Sequence, residues 1–221
     1  MKKILLTAAC VSGLASVLSG CAPMIVGGAA VATGATVSTM VDRRSAGAVV
    51  NDTVLEKRIG WEISQAIGKD VDSHITVTAY NGKVLLSGEI QTAQAKKIAG
   101  QTAKSSLDVA SVVNELAVRE NAGMMQRMSD SSLATKVRSR LLTTDNVYLS
   151  QMKVVVDRGI VYLMGLVTPQ ENSLALVTVA RTSGVMRVIS VCEIMSAERI
   201  QQRLRDLQRN QNNQNSETSN E

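Results

Sequence analysis

The sequence predicts an α+β protein: two tandem αββαβ units, each a three-stranded mixed sheet packed against two helices. Three observations predict it. First, residues 154–167 (VVVDRGIVYLMGLV) read as strand, two-residue turn, strand, and residues 77–90 (VTAYNGKVLLSGEI) repeat them. Gly82 and Gly88 match Gly159 and Gly165, each 77 positions later, so both hairpins share one register. Second, an apolar stripe at helical spacing precedes each hairpin: Leu55, Ile59 and Ile63 in one copy, Leu133, Val137 and Leu141 in the other. Third, a second helical segment and a closing apolar run follow each hairpin, at 109–118 and 185–195.

Composition limits the function classes. The 221 residues are 45% hydrophobic, yet only 2% aromatic and without Phe. Cores of Val, Ile, Leu, Ala and Met in small domains suit a compact module better than a large catalytic fold with a deep pocket. The net charge is +5. Removing Lys2 and Lys3 leaves 22 basic against 19 acidic residues, a balance too weak to imply nucleic acid.

Lys2 and Lys3 form a basic start, residues 4–17 an apolar run, and Leu18-Ser19-Gly20-Cys21 a small-residue close, which together make a secretory signal. The last four residues resemble a bacterial lipobox. That resemblance implies an N-acyl diacylglycerol group on Cys21, which becomes the first mature residue. Ala22, rather than Asp, follows it, and in the usual sorting pattern this implies the outer membrane with the domains in the periplasm. Cys10 leaves with the signal, so Cys192 has no intramolecular partner and reads as a small buried hydrophobe in the apolar run 188–194. Residues 24–41 carry no charge but are rich in Gly, Ala and Thr. They read as a flexible or surface-lying tether rather than a membrane helix. Asp42-Arg43-Arg44 marks its end.

The first copy begins near Asn51, with Thr53 and Glu56 at capping-box spacing. Residues 71–80 alternate as a strand. Asn81-Gly82 is a type I′ hairpin turn, which requires positive φ at both positions. Residues 84–90 return, 92–106 form the second helix, and 109–118 the third strand. The second copy repeats this order. Thr168-Pro169 with Glu171 opens its second helix with an N-cap, a proline in the first turn and a capping box, and Gly184 stops it. Asp52 matches Asp130, and Val109 matches Val185, so the small length changes fall between elements.

The αββαβ order, the Gly82/Gly88 and Gly159/Gly165 pairs, and the closing runs Val109–Asn114 and Gly184–Ile189 resemble BON domains. The runs 135–143 and 163–168 strengthen the likeness to lipoproteins that carry two such domains. The resemblance implies a non-enzymatic envelope protein that binds anionic phospholipids of the outer membrane through its second domain and helps maintain outer-membrane integrity. The alternative is a protein-interaction adaptor that supports the outer-membrane assembly machinery. The chain then divides into a signal peptide (1–20), lipidated cysteine and flexible linker (21–50), first domain (51–119), linker (120–128), second domain (129–195), and a C-terminal helix with a disordered polar tail (196–221).

No catalytic set emerges. His74 is the only histidine and reads as a surface residue at a loop end. The Cys and His count cannot build a zinc site, and no phosphate-binding glycine motif is present, so no cofactor is expected beyond the acyl chains. The first helix of the second copy differs from its counterpart. Residues 131–144 carry Lys136, Arg138 and Arg140 with no acid. With Leu133 as zero at about 100° per residue, Val137 falls near 40° and Leu141 near 80°, while Arg138 falls near 140° and Leu142 near 180°. An off-core leucine beside cations suits a membrane-surface helix; the alternative is an ordinary solvated face with Leu142 packed on Val147 or Leu149. The family resemblance implies a bulky aromatic where this chain has Ser132, hence a shallower insertion. Met124, Met125 and Met128 either pack between the domains or join a membrane face. Trp61 lies off its helix's core face and reads first as inter-domain packing, second as a lipid or partner contact.

Overall fold

The computed structural model describes residues 42–68 and 70–218. The signal segment, Cys21 and residues 24–41 of the linker lie outside the described residues. The described residues form one compact unit.

The first domain is built from α1 (Ala46–Ile67), β1 (Ser73–Tyr80), β2 (Lys83–Ile90), α2 (Ala93–Ser105), β3 (Ser111–Asn114) and β4 (Ala117–Val118). The second repeats it with α3 (Met124–Leu142), β5 (Met152–Asp157), β6 (Ile160–Val167), α4 (Pro169–Ala180), β7 (Arg187–Ser190) and β8 (Glu193–Ile194). Helix α5 (Ala197–Thr218) follows. β1 pairs antiparallel with β2, and β3 and β4 both pair parallel with β2; the second sheet has the same topology. The predicted third strand is thus one path in two pieces. In the first copy Leu116 leaves the ladder between them and enters the core at 1% exposure. Cys192, 76 positions later, packs against the second core in the same way.

The predicted stripes face the cores. Leu55, Ile59 and Ile63 pack with Ala95, Ala99 and Ala103 of α2 against one face of the first sheet. Leu133, Val137 and Leu141 pack with Ala175 and Val179 of α4 against the second. Full burial of each large aliphatic contributes about 1.5–3 kcal/mol. The cap predicted from sequence is present: Thr168 and Glu171 form a complete capping box with Pro169 in the first turn. At the start of α2, Thr92 accepts from Ala95 N.

The hairpin turns take positive φ at Asn81 (54°) and Gly82 (75°), and at Arg158 (45°) and Gly159 (74°). A helix carboxylate holds each turn. Asp52 accepts from Asn81 N and Gly82 N at 2.7 and 2.9 Å; Asp130 accepts from Arg158 N and Gly159 N, both at 2.9 Å. This is what the matched Asp52 and Asp130 do. Gly88 and Gly165 serve close backbone approach: a Cβ at Gly88 would stand 1.9 Å from His74 O, and one at Gly165 2.4 Å from Gln151 O.

A third cluster joins the other faces of the two sheets, with Tyr80 and Leu85 against Tyr162, Met164, Leu166 and Val191. The two domains are therefore stacked sheet to sheet, helices outside, and β2 and β6 are buried on both faces. Polar contacts frame this apolar centre. Tyr80 Oη donates to Gln151 O at 2.9 Å, Lys153 bridges Glu56 (2.8 Å) and Ala79 O (2.9 Å), Gly88 N donates to Asp157, and Arg158 pairs with Glu89.

Four expectations are corrected. α1 starts at Ala46 with Ser45 as its N-cap, so residues 46–50 are helix rather than flexible linker. Thr53 and Glu56 form no capping box: Thr53 Oγ1 donates back to Val49 O within the helix, and Glu56 reaches Ala79 N and Lys153. α3 begins at Met124, inside the expected linker 120–128. α5 continues to Thr218, through most of the tail expected to be disordered. Its first turns are anchored by Ile200, 3% exposed, and by Arg203, which donates to Arg43 O and Asn81 Oδ1. Helix propagation from an anchored start costs far less than nucleation.

Candidate functional site

The surface of α3 is the candidate site. Its buried stripe (Leu133, Ala134, Val137 and Leu141) fixes the rotation of the helix on β5. The opposite face is then open. Met124, Met125 and Met128 are 78%, 79% and 59% exposed at one end, and Leu142 is 68% exposed at the other. Ser132 lies exposed between them. With Leu133 as zero, Met128 falls near 220°, Ser132 near 260° and Met125 near 280°, so the outward face carries no charge at all. Leu142 is too exposed to be buried under Val147 or Leu149, and the methionines are too exposed to be packed between the domains. Trp61, 65% exposed on α1, is not an inter-domain residue either. The sheets meet through their own faces, which leaves the helix faces free.

The three cations flank this face and are held to carbonyl oxygens. Lys136 Nζ donates to Ser183 O at 3.1 Å, Arg138 to Val154 O at 2.8 Å, and Arg140 to Arg181 O at 3.4 Å. None of the three forms an ion pair among the described residues. A carbonyl steadies a guanidinium or ammonium but leaves its charge uncompensated. The flanks of α3 thus keep their positive charge beside an apolar, uncharged strip, the arrangement that binds an anionic interface.

On the Arg138 flank a cleft of about 520 Å³ separates α3 and β5 from the first sheet, lined by His74, Ser87, Arg127, Arg138 and Asp157 among others. His74 sits in β1 opposite Glu89, in this cleft rather than at a loop end. Burial and the neighbouring Glu89 carboxylate push the Asp157 carboxyl up, against the hydrogen bond from Gly88 N. The Cys192 thiol is pushed up by burial and its Sγ donates to Leu163 O, so it is not an activated nucleophile. Among the described residues no group of His, Cys, Asp or Glu could hold a metal ion. No described helix is long and apolar enough to cross a membrane.

Sequence reasoning missed the residues that join the domains. Arg43 binds Glu171 through both guanidinium nitrogens at 2.7 Å, Leu166 O at 2.8 Å, and, by its backbone N–H, Gln151 at 2.9 Å. Arg44 stacks 4.0 Å over the Tyr80 ring and pairs with Asp42 and Asp52. One signal was available: the nearly unbroken apolar run of β6, IVYLMGLV, is what a strand buried on both faces requires, whereas β2 is interrupted by Ser87, Gly88 and Glu89.

A duplicated αββαβ unit with carboxylate-held hairpin turns defines a small α+β module used in tandem. The chain belongs to the BON domain family, whose model matches residues 51–120 and 129–194. It is 34% identical over 178 residues to the "Outer membrane lipoprotein DolP" of Haemophilus influenzae, covering 79% of this chain and 88% of that protein. It is 36% identical over 151 residues to the "21 kDa hemolysin" of Actinobacillus pleuropneumoniae, covering 68% and 78%.

Proposed function

We propose that the protein is an outer-membrane lipoprotein, anchored by acylated Cys21 and facing the periplasm. Its second domain engages anionic phospholipid through α3 and thereby helps maintain outer-membrane integrity. It acts by binding, not by turnover. The observation that carries this reading is the exposed face of α3: methionines at one end, Leu142 at the other, no charge between, and unpaired Lys136, Arg138 and Arg140 along its flanks. The lipobox at residues 18–21 and the printed name of the Haemophilus relative support the anchor and the membrane.

Vesicle binding by protein lacking residues 1–21 tests it. Binding is expected to need anionic lipid and to weaken with salt. Each cation near an anionic surface contributes about 1 kcal/mol, so neutralising Lys136, Arg138 and Arg140 costs roughly 100-fold in partitioning, and reversal to Glu costs more. Unchanged binding in the triple Glu variant rejects the site. Recovery of one dominant protein partner by envelope crosslinking, retained in that variant, would favour an adaptor instead.

A further inference from the structure

We propose that the segment 181–187 is a second membrane-contact element beside α3, with Met186 as its apolar wedge and an anionic phospholipid surface as its occupant. The proposal rests on the lipid reading of α3 and adds to it a separate element of the fold.

Met186 is 81% exposed, more than any other large hydrophobic residue among those described. Nothing in the core requires a methionine there. The segment is nevertheless fixed in place. Thr182 is 2% exposed and its hydroxyl donates to Thr178 O; Val185 N donates to Thr182 O. Gly184, at φ 99°, lies against Leu133 of α3, where a Cβ would stand 3.3 Å from Leu133 Cδ1. Met186 lies over the β5–β6 turn: a Cβ on Gly159 would meet its Cγ at 3.0 Å. A shallow gap of about 370 Å³ lined by Gln126, Ser129, Gly159 and Met186 places the methionine next to the first turns of α3. Met125 is one turn before Ser129 on the same helix. Met186 therefore stands as a second exposed apolar side chain beside the first turns of α3, across a gap lined by Gln126 and Ser129.

The same cations that flank α3 hold the segment. Lys136 reaches Ser183 O and Arg140 reaches Arg181 O. Arg181 and Arg187 add positive charge, and residues 181–187 contain no acid. Arg187 meets Glu115 only at 3.7 Å, with the two side chains 60% and 32% exposed, a pair that water screens. Asp130, the acid nearest on α3, is buried and spent on the hairpin turn. This charge complements an anionic phospholipid surface.

Leu142 and Met186 stand on opposite sides of the outward face of α3, with Met125 and Met128 between. A single helix can roll on a bilayer. A plane through these points fixes which side of the second domain faces the lipid.

Methionine methyl groups test this directly. Protein lacking residues 1–21, labelled with carbon-13 at the methionine methyls, is bound to nanodiscs of phosphatidylglycerol and phosphatidylcholine carrying a lipid spin-labelled in the upper acyl chain. The Met186 signal is expected to broaden together with Met125 and Met128, while buried Met164 stays sharp. Met186→Ser is expected to weaken partitioning about tenfold and Met186→Leu to leave it near wild type. An unchanged Met164 signal certifies the fold of each variant. Broadening of Met125 and Met128 without Met186, or wild-type partitioning of Met186→Ser, overturns this proposal and spares α3. Broadening of none of them overturns the lipid reading itself.

Discussion

Arg43 and Glu171, 128 positions apart, form a two-pronged ion pair with both nitrogen–oxygen distances at 2.7 Å, and each side chain is about one-tenth exposed. The same carboxylate closes the capping box of α4 by accepting from Thr168 N. The segment before α1 is thereby tied to a helix start in the second domain. A planar guanidinium suits this position because it satisfies both carboxylate oxygens and a backbone carbonyl, Leu166 O, at once.

Removing that guanidinium leaves a buried carboxylate without its partner. Arg43→Ala is expected to cost about 3 kcal/mol in urea unfolding. The pH dependence follows. Burial pushes the Glu171 carboxyl up, but the Arg43 and Thr168 hydrogen bonds outweigh it and hold the group below the usual carboxylate range. Its stabilisation is present above the unfolded pKa and is lost as pH falls through the folded one. The acid-side loss of stability should therefore shrink in Arg43→Ala. An identical acid limb in both proteins would contradict the assignment.

Gly88→Ala should be far worse than its sequence context suggests. The new Cβ would collide with His74 O in a backbone at φ 110°, so both space and conformation oppose it. Loss of more than about 4 kcal/mol, or failure to fold, is expected. Gly165→Ala faces the Gln151 carbonyl at 2.4 Å without positive φ and should be less severe. Thermal melting of the pair checks the order.

The turn carboxylates give a graded pair. Asp130→Ala removes the acceptor of two hairpin N–H groups and should cost about 2–4 kcal/mol. Asp52→Ala removes the same two contacts and also the Arg44 partner at 3.0 Å, so it should cost more. Equal losses in chemical denaturation would show that Arg44 is adequately served by Asp42 alone.

The surface of α3 should separate binding from stability. Leu142→Ser changes a side chain that is 68% exposed, so the unfolding midpoint should stay within the error of measurement. Partitioning to anionic vesicles should fall about tenfold. Trp61→Ala should alter neither, since Trp61 lies on α1 in the other domain, 65% exposed.

The tyrosines of the sheet-to-sheet contact report its integrity. Burial pushes both Tyr80 and Tyr162 up to about 12, Tyr80 with a further contribution from Asp42 and Tyr162 from Glu115. A raised phenol pKa stabilises the fold fully below the unfolded value near 10, and that stabilisation is lost as pH rises toward 12. Spectrophotometric titration should show these two rings ionising together with unfolding.

Much of each domain was legible because its determinants are local. The Asn81-Gly82 turn, the Thr168 capping box and the Leu133/Val137/Leu141 stripe each act within a few residues, and duplication displayed the helical stripe and the paired hairpin glycines twice. The cationic flank of α3 was legible for the same reason: helical spacing converts sequence position into direction. The false capping box at Thr53 and Glu56 shows the limit. Its spacing was right, but Glu56 is needed by Ala79 N and Lys153, contacts 23 and 97 positions away. Trp61 and the methionines failed similarly as inter-domain residues, since off-core hydrophobics say nothing about which face a neighbour covers.

The sequence by itself determined the αββαβ unit, its repetition and the orientation of α3 on its own sheet, because periodicity, turn chemistry and capping are short-range. Only the tertiary structure decided that the two sheets stack face to face, that Arg43 ties the segment before α1 to the second domain, and that Met186 comes to lie beside α3. These contacts join residues whose separation along the chain leaves no period to read, and burial of both faces of β2 and β6 becomes real only when the second domain arrives to cover the first.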